Sequence, residues 1–447
     1  MSEDDADALL TAVRHGDLPK VRDLLAAGVP AEPADGAATG PLVVAAAAGD
    51  GAMAALLVEY GADPDRTPAL ARAAERGAYG AVRALLDAGA DPAGPDADGR
   101  TPLECARGWL GRDPVEELRR RLTAAAPGPV AVREPAAREP VAVRREEQPD
   151  GTALLTVELT GVGGLPATAG VQDGHAAVVC LLEAALGVEP PFEELAARAL
   201  AAPDSEHPCW WEPVRLLHAR GGEPAFRGAE RLCGGTVRER EFGADVLAQF
   251  DYASRDRPHA GQVVALLRRM AAEERDPAVL RSVVSGLGHQ RDPAALPDLA
   301  RHVHHPDPRV RHSVAFALAG LVGLDRPEGM DLVTVLLADP DEGVRDWAAF
   351  ALASVEGDSP ALRDALAGLL DDPADQVVAE AARGLAHRGD PRAVGPLLRI
   401  LAGSDPAGYA WKIALEAAEE ATDPRLRAAA RTAATGTWGE LRSHGAD

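Results

Sequence analysis

Lysine is almost missing from this chain of 447 residues: Lys20 and Lys412 are the only two, and every other basic residue is arginine. That bias points to the base composition of the gene rather than to chemistry. Aromatic residues are scarce at 4%, so alanine, leucine and valine must build the interior, which suits helices packed closely through small side chains. Cysteine is limited to Cys105, Cys180, Cys209 and Cys233, isolated from one another. They lack the paired spacing of a zinc site or a redox motif, so reduced structural thiols are expected. No apolar run is long enough to cross a bilayer, and the start, MSEDDADALL, lacks the basic and apolar regions of a secretion signal. A cytoplasmic location is expected.

Positive charge is also in deficit. The formal net charge is −24, spread as about −8 over each of residues 1–125, 126–206 and 207–447. No segment forms a basic face, which argues against nucleic acid and anionic membrane as partners, because both need clustered cations to displace counterions. A basic protein partner is favoured instead, since an acidic surface speeds encounter with it. The competing explanation is an acidic surface kept for solubility.

Signatures of catalysis fail one by one. There is no phosphate-binding Gly-x-x-x-x-Gly-Lys loop and no His-Glu-x-x-His helix. Gly161-Val162-Gly163-Gly164 lacks the third glycine of a dinucleotide fingerprint and reads as a loop. Gly357-Asp358-Ser359-Pro360-Ala361 lacks the last glycine of a nucleophile elbow, so Ser359 reads as a helix N-cap. Asp96-x-Asp98-Gly99 has too few carboxylates for a calcium loop. His302, His304, His305 and His312 are the one dense group of possible metal ligands, but they fall at a helix end and in the following turn, pointing different ways. No metal, cofactor or catalytic residue is assigned.

What is present is repetition. Pro224, Pro258, Pro293, Pro327, Pro360, Pro391 and Pro424 each stand at the start of an apolar helix, 31 to 35 residues apart. A fixed period of this size predicts stacked supersecondary units. Within the best unit Val344, Ala348, Ala351, Leu352 and Val355 form a core stripe at helical spacing. The N-terminal third has a different rhythm: Gly16 and Gly28, Gly49 and Gly61, Gly77 and Gly89 recur as pairs that end a shorter and a longer helix. Thr67-Pro68 and Thr101-Pro102 stand where a helix would open, and Asp98-Gly99 at a turn tip. Between the two rhythms, residues 124–150 carry prolines at 127, 129, 135, 140 and 149 and read as a semi-rigid linker.

The glycine-paired segments AVRHGDLPKVRDLLAAG, AAAAGDGAMAALLVEYG and AAERGAYGAVRALLDAG resemble ankyrin repeats over about residues 6–122. Val43, Leu70 and Glu104 stand where the repeat usually has histidine. Residues 165–187, around Asp173-Gly174-His175, resemble one further ankyrin unit. The proline-opened units, with HPDPRVRHSVAFALAGL, ADPDEGVRDWAAFALASV, DDPADQVVAEAARGLA and GSDPAGYAWKIALEAA as their second helices, resemble bacterial HEAT repeats of the phycobilin-lyase type. The resemblance implies an all-α fold, an α-solenoid with an ankyrin array followed by a HEAT-like helical repeat superhelix. It divides the chain into an ankyrin array (1–123), a linker (124–150), an ankyrin-like unit and junction (151–206) and a HEAT-like solenoid (207–447) of about six to seven units. Near the start of that solenoid Pro208 and Pro213 bracket Trp210 and Trp211 and leave room for no more than a short helical turn.

By the same resemblance, Asp307 with Arg311 and Asp341 with Arg345 link neighbouring repeats, and the second (B) helices line the concave side. Phe316, Phe350 and Arg383 then form successive rungs of an inner surface, flanked by His312 and Asp346 and later by Lys412 and Glu416. Phenylalanine and arginine are residue types that anchor interfaces; the rival expectation is that neighbouring repeats bury the rings. With Asp98 and Arg100 at the ankyrin turn, these are the expected partner-binding residues. The function expected is a non-enzymatic scaffold or adaptor for protein partners. The alternatives are a neutralising, immunity-type partner of a basic toxin, or a HEAT-repeat lyase acting on a small molecule or pigment.

Overall fold

The computed structural model describes residues 3–32, 40–65, 68–125, 141–159, 167–250 and 257–434. They fall into two compact units, Met1–Arg220 and Gly221–Asp447. The division therefore lies at Gly221 rather than at residue 207, because the helix carrying Trp210 packs into the first unit.

In the first unit, helices α1 (Glu3–Arg14) and α2 (Leu18–Ala26), α3 (Pro41–Ala48) and α4 (Gly51–Glu59), α5 (Ala69–Arg76) and α6 (Tyr79–Asp87), α7 (Pro102–Arg107) and α8 (Pro114–Ala125) come in pairs. All six of the paired glycines have positive φ, between 68° and 93°, the conformation that closes a helix without a Cβ clash. Asp17 and Asp50 cap α2 and α4 through their side chains, and Thr101 forms a capping box with Glu104 at α7. Thr67 lies outside the described residues, and Pro68 is the residue before α5 rather than its first. Leu42, Met53, Leu57, Val82 and Leu85 are buried among alanines in one continuous core.

The proline-bearing stretch 126–140 lies outside the described residues, as do Gly161 to Gly164. Where the linker was expected to continue, residues Val141–Glu147 instead form strand β1, followed by β2 (Ala153–Leu159) and β3 (Ala167–Gln172) in an antiparallel sheet of order β1-β2-β3. Val143 pairs with Val157 and Thr156 with Gly170. Pro149-Asp150-Gly151 makes the β1–β2 turn: Asp150 accepts from the Thr152 backbone, and Gly151 has φ 82°. Val157 and Val171 are buried against Trp109 and Leu118, so α8 covers the sheet and the strands cannot act as a free tether. Residues 167–172, the start of the expected further ankyrin unit, are consequently a strand.

After the sheet, α9 (His175–Ala185), α10 (Phe192–Leu200) and α11 (Pro208–Arg220) complete the unit. Val178, Val179 and Leu182 of α9 join the core of the preceding pairs. Helix α11 runs on through Pro213, longer than the prolines suggest, with Trp210 fully buried as its anchor. His207, just before it, meets Asp173 at 3.0 Å, and Asp173 also accepts from the Ala153 backbone and from Arg145. Sheet and helix layer are pinned together there.

The second unit alternates A and B helices. The A helices include α12 (Gly222–Leu232), α14 (Ala260–Glu273), α16 (Leu296–Ala300), α18 (Pro327–Leu336), α20 (Pro360–Ala367), α22 (Val394–Gly403) and α24 (Pro424–Ala434). The B helices are α13 (Val237–Gln249), α15 (Pro277–Gln290), α17 (Pro308–Leu318), α19 (Glu342–Ala353), α21 (Asp375–His387) and α23 (Tyr409–Glu420). Pro327, Pro360 and Pro424 are first residues of their helices, while Pro293 and Pro391 open a 3₁₀ turn ahead of the α-helix. Ser359 caps α20, accepting from the Leu362 amide. The core stripe Val344, Ala348, Ala351, Leu352 and Val355 is buried throughout.

The B helices stack closely. A Cβ on Gly288 would lie 2.5 Å from the Ala317 Cα, and one on Gly384 would lie 2.8 Å from the Ala353 Cβ. Ion pairs also join repeats, though not those expected. Arg311 reaches forward to Asp339 through two hydrogen bonds of 2.7 and 2.8 Å, and Arg345 to Asp372 at 2.9 and 3.0 Å. Each arginine also donates to carbonyls just before its own helix, at His305 and Asp339. Asp307 and Asp341 serve as N-caps instead. Arg240 with Glu274 repeats the arrangement between α13 and α15.

Candidate functional site

Capping fixes the register of the B helices, and the register makes a surface. Phe316, Phe350 and Arg383 each stand nine residues beyond the N-cap of their helix, at Asp307, Asp341 and Ala374. Nine residues is two and a half turns, which puts each on the side of its helix away from the core stripe. The two phenylalanines do not touch. Trp347 stands between them, its ring 4.9 Å from that of Phe316 and 5.4 Å from that of Phe350, edge to face in both contacts. His289 meets Phe316 at 5.1 Å and His312 meets Trp347 at 5.8 Å. Arg383 lies over the Phe350 ring at 5.2 Å. All are half-buried, an outcome between the open surface and the sealed core that the sequence left open. Trp347 and His289 are the members that sequence reasoning missed.

Carboxylates border the row. Glu380, buried on α21, holds Arg383 at 2.8 Å. Burial pushes the Glu380 carboxyl above its usual range despite that arginine. Asp346, one turn before Phe350, is pushed up to about 7, first by burial and then by the charges of Glu380 and Glu342. Its Oδ1 is buried with no hydrogen-bond partner. Tyr409 on α23 is exposed and feels both Glu380 and Asp346; Lys412, further along the same helix, is exposed.

The ankyrin turn is built around Asp96 rather than around the expected partner-binding Asp98. Asp96 accepts from the backbone amides of Asp98 and Arg100 at 2.9 Å and from the Arg100 guanidinium at 2.9 Å. Gly99 has φ 79°. Asp98 projects from the tip, while Arg100 is folded back along the turn and half exposed.

The histidines scatter. His302 is buried with Nε2 against the Ala271 carbonyl at 2.9 Å, His305 accepts from the Asp307 amide through Nδ1, His304 faces outward and His312 belongs to the aromatic row. Among the described residues no three His, Cys, Asp or Glu side chains are grouped to hold a metal ion. No helix among them is long and apolar enough to cross a membrane.

Two repeat families match the chain: ankyrin repeats, in three copies, over residues 9–96, and HEAT repeats over residues 239–319, 303–383 and 329–415. Protein YibA of Escherichia coli strain K12 is 27% identical over 220 residues, covering 48% of this chain and 75% of YibA. Its X-ray structure aligns at a TM-score of 0.41 with 24% identity, over 58% of this chain and 96% of that one. The complex of CpcE and CpcF of phycocyanin lyase from Nostoc sp. PCC7120 aligns at a TM-score of 0.35 with 16% identity, over 55% of this chain and 95% of that one. The chain thus carries ankyrin repeats towards its N-terminus and HEAT repeats in its C-terminal half, and its fold is an α-solenoid with, among the described residues, one small sheet in the first unit.

Proposed function

We propose that the protein is a non-enzymatic scaffold or adaptor of the cytoplasm that holds protein partners on the B-helix face of its second unit and on its ankyrin array. The observation that carries this reading is the half-exposed row Phe316, Trp347 and Phe350, in register across two repeats and flanked by Arg383. Aromatic rings and arginine are the side chains on which interface energy concentrates, and ankyrin and HEAT repeats in general present long surfaces to other proteins. The net charge of −24 favours a second reading, a neutralising partner of one basic protein.

Affinity capture from native lysate with the full chain tests both. The Phe316→Ala, Phe350→Ala double variant should lose its captured partners about tenfold while its melting temperature stays within a few degrees. A collapse of stability instead would mean that the rings serve only as core. Several sub-stoichiometric partners support the adaptor, whereas one stoichiometric basic protein supports neutralisation.

A further inference from the structure

Asp346 holds a position that the chain's own contacts leave incomplete. Its Oδ1 is out of solvent and has no hydrogen-bond donor, and the charged groups that act on it, Glu342 of its own helix and Glu380 of α21, are of the same sign. Tyr409 of α23 brings a neutral hydroxyl, His312 of α17 is in contact with Trp347, and Arg383 of α21 hydrogen-bonds Glu380 through its Nε. Next to this carboxylate stand the rings of Trp347 and Phe350. One stretch of the same face shows what such a set receives: the Arg383 guanidinium lies over Phe350, 5.2 Å from the ring centre, and hydrogen-bonds Glu380. A guanidinium is flat, weakly hydrated and rich in donors, so it can stack on an aromatic face while satisfying a buried carboxylate.

We infer that Asp346 with Trp347 and Phe350 forms a docking point for an arginine side chain carried on a basic segment of a protein partner. This rests on the scaffold reading and narrows it to one chemistry. Charge complementarity commits the occupant: Glu342, Asp346, Glu380 and Glu416 all lie on or beside the row in a chain of net charge −24. An ammonium could meet the carboxylate but would stack less well, and an acidic segment would be repelled.

The test uses the full chain and three eight-residue peptides in which glycine alternates with arginine, lysine or glutamate, titrated by calorimetry and by tryptophan fluorescence. The arginine peptide is expected to bind most tightly, and Asp346→Asn should weaken it about tenfold. Trp347→Phe should weaken it several-fold and remove the fluorescence change. Glu328→Gln, which deletes a carboxylate from the A helix α18, should leave binding unchanged. Equal losses in Asp346→Asn and Glu328→Gln would reduce the effect to general attraction and overturn the inference, as would unchanged binding in Asp346→Asn. If partners captured from lysate depend on Phe316 and Phe350 but not on Asp346, the scaffold reading stands and the arginine site falls. Partners indifferent to Phe316, Phe350 and Asp346 alike would remove both.

Discussion

The two units differ in how one repeat is joined to the next: scattered polar links on an apolar contact in the first, a recurring arginine–carboxylate pair in the second. In the first, Val43, Leu70 and Glu104 occupy the places where a histidine would usually make polar links. Cohesion there comes mostly from alanine and leucine contacts and from the sheet, with single ion pairs such as Arg107–Glu183 and Arg121–Glu75 added to them. In the second, bidentate arginine–carboxylate pairs span neighbouring B helices at Arg240–Glu274, Arg311–Asp339 and Arg345–Asp372. Apolar joints tolerate chemistry but not volume, while ionic joints tolerate volume but not loss of a partner.

The largest effect should come from adding volume to the apolar side. Gly77 has φ 68°, and a Cβ there would fall 2.4 Å from the Gln172 carbonyl oxygen and 2.6 Å from the His175 ring. Gly77→Val combines left-handed strain with overpacking against the sheet and should cost about 3 to 5 kcal/mol. Hydrogen exchange should localise the loss to α5, α7 and β3; protection left intact there would break the contrast. Next is Arg345→Ala, which strands Asp372 at a mostly buried position and should cost about 3 kcal/mol. Exchange should rise in α19 and α21, and Asp372→Ala in the same chain should restore part of it.

The smallest effect has the opposite sign. Asp372 sits below the ordinary carboxylate range because Arg345 outweighs its burial, whereas Asp346 is raised to about 7. A carboxyl whose folded pKa is raised binds its proton more tightly in the native state. Stability is therefore undiminished below about pH 4, falls as pH rises from there to 7, and the deficit is complete above 7. Asparagine mimics the protonated form, so Asp346→Asn should melt level with the parent at pH 4. At pH 8 it should be more stable by about 1 kcal/mol, allowing for solvent screening at a partly exposed group. A loss of stability at pH 8 would mean that Asp346 has an internal partner after all.

Periodicity was the legible part of this chain. The helix-opening prolines and the glycine pairs announce themselves because each marks a backbone requirement that few other residues meet. The row of Phe316, Phe350 and Arg383 follows from counting along those units. Three features resist such counting. Strand β1 is exposed along the length described, so VAVRREE has no apolar alternation to betray it, and the prolines before it suggest a tether. Strand β2 does alternate between buried and half-buried positions, and ALLTVEL carried that signal. The acceptors Asp339 and Asp372 lie 28 and 27 residues beyond their arginines, where the capping aspartates close by in sequence offer a more obvious pairing. Trp347 occupies a position filled by Ser313 in the repeat before, so repetition itself hides it.

The arginine pairs do not occur at every junction. Between α15 and α17 the arginine position holds Leu280 and the carboxylate position His305, leaving the hydroxyls of Ser285 and Ser313 in contact at 3.1 Å. Between α21 and α23, Val378 and Pro406 replace the pair. At these two seams the ionic rivets sit on the A-helix side instead, Arg268 with Asp298 and Arg392 with Asp364, so tension along the second unit would pass from one edge of the stack to the other where the B-helix pairs stop.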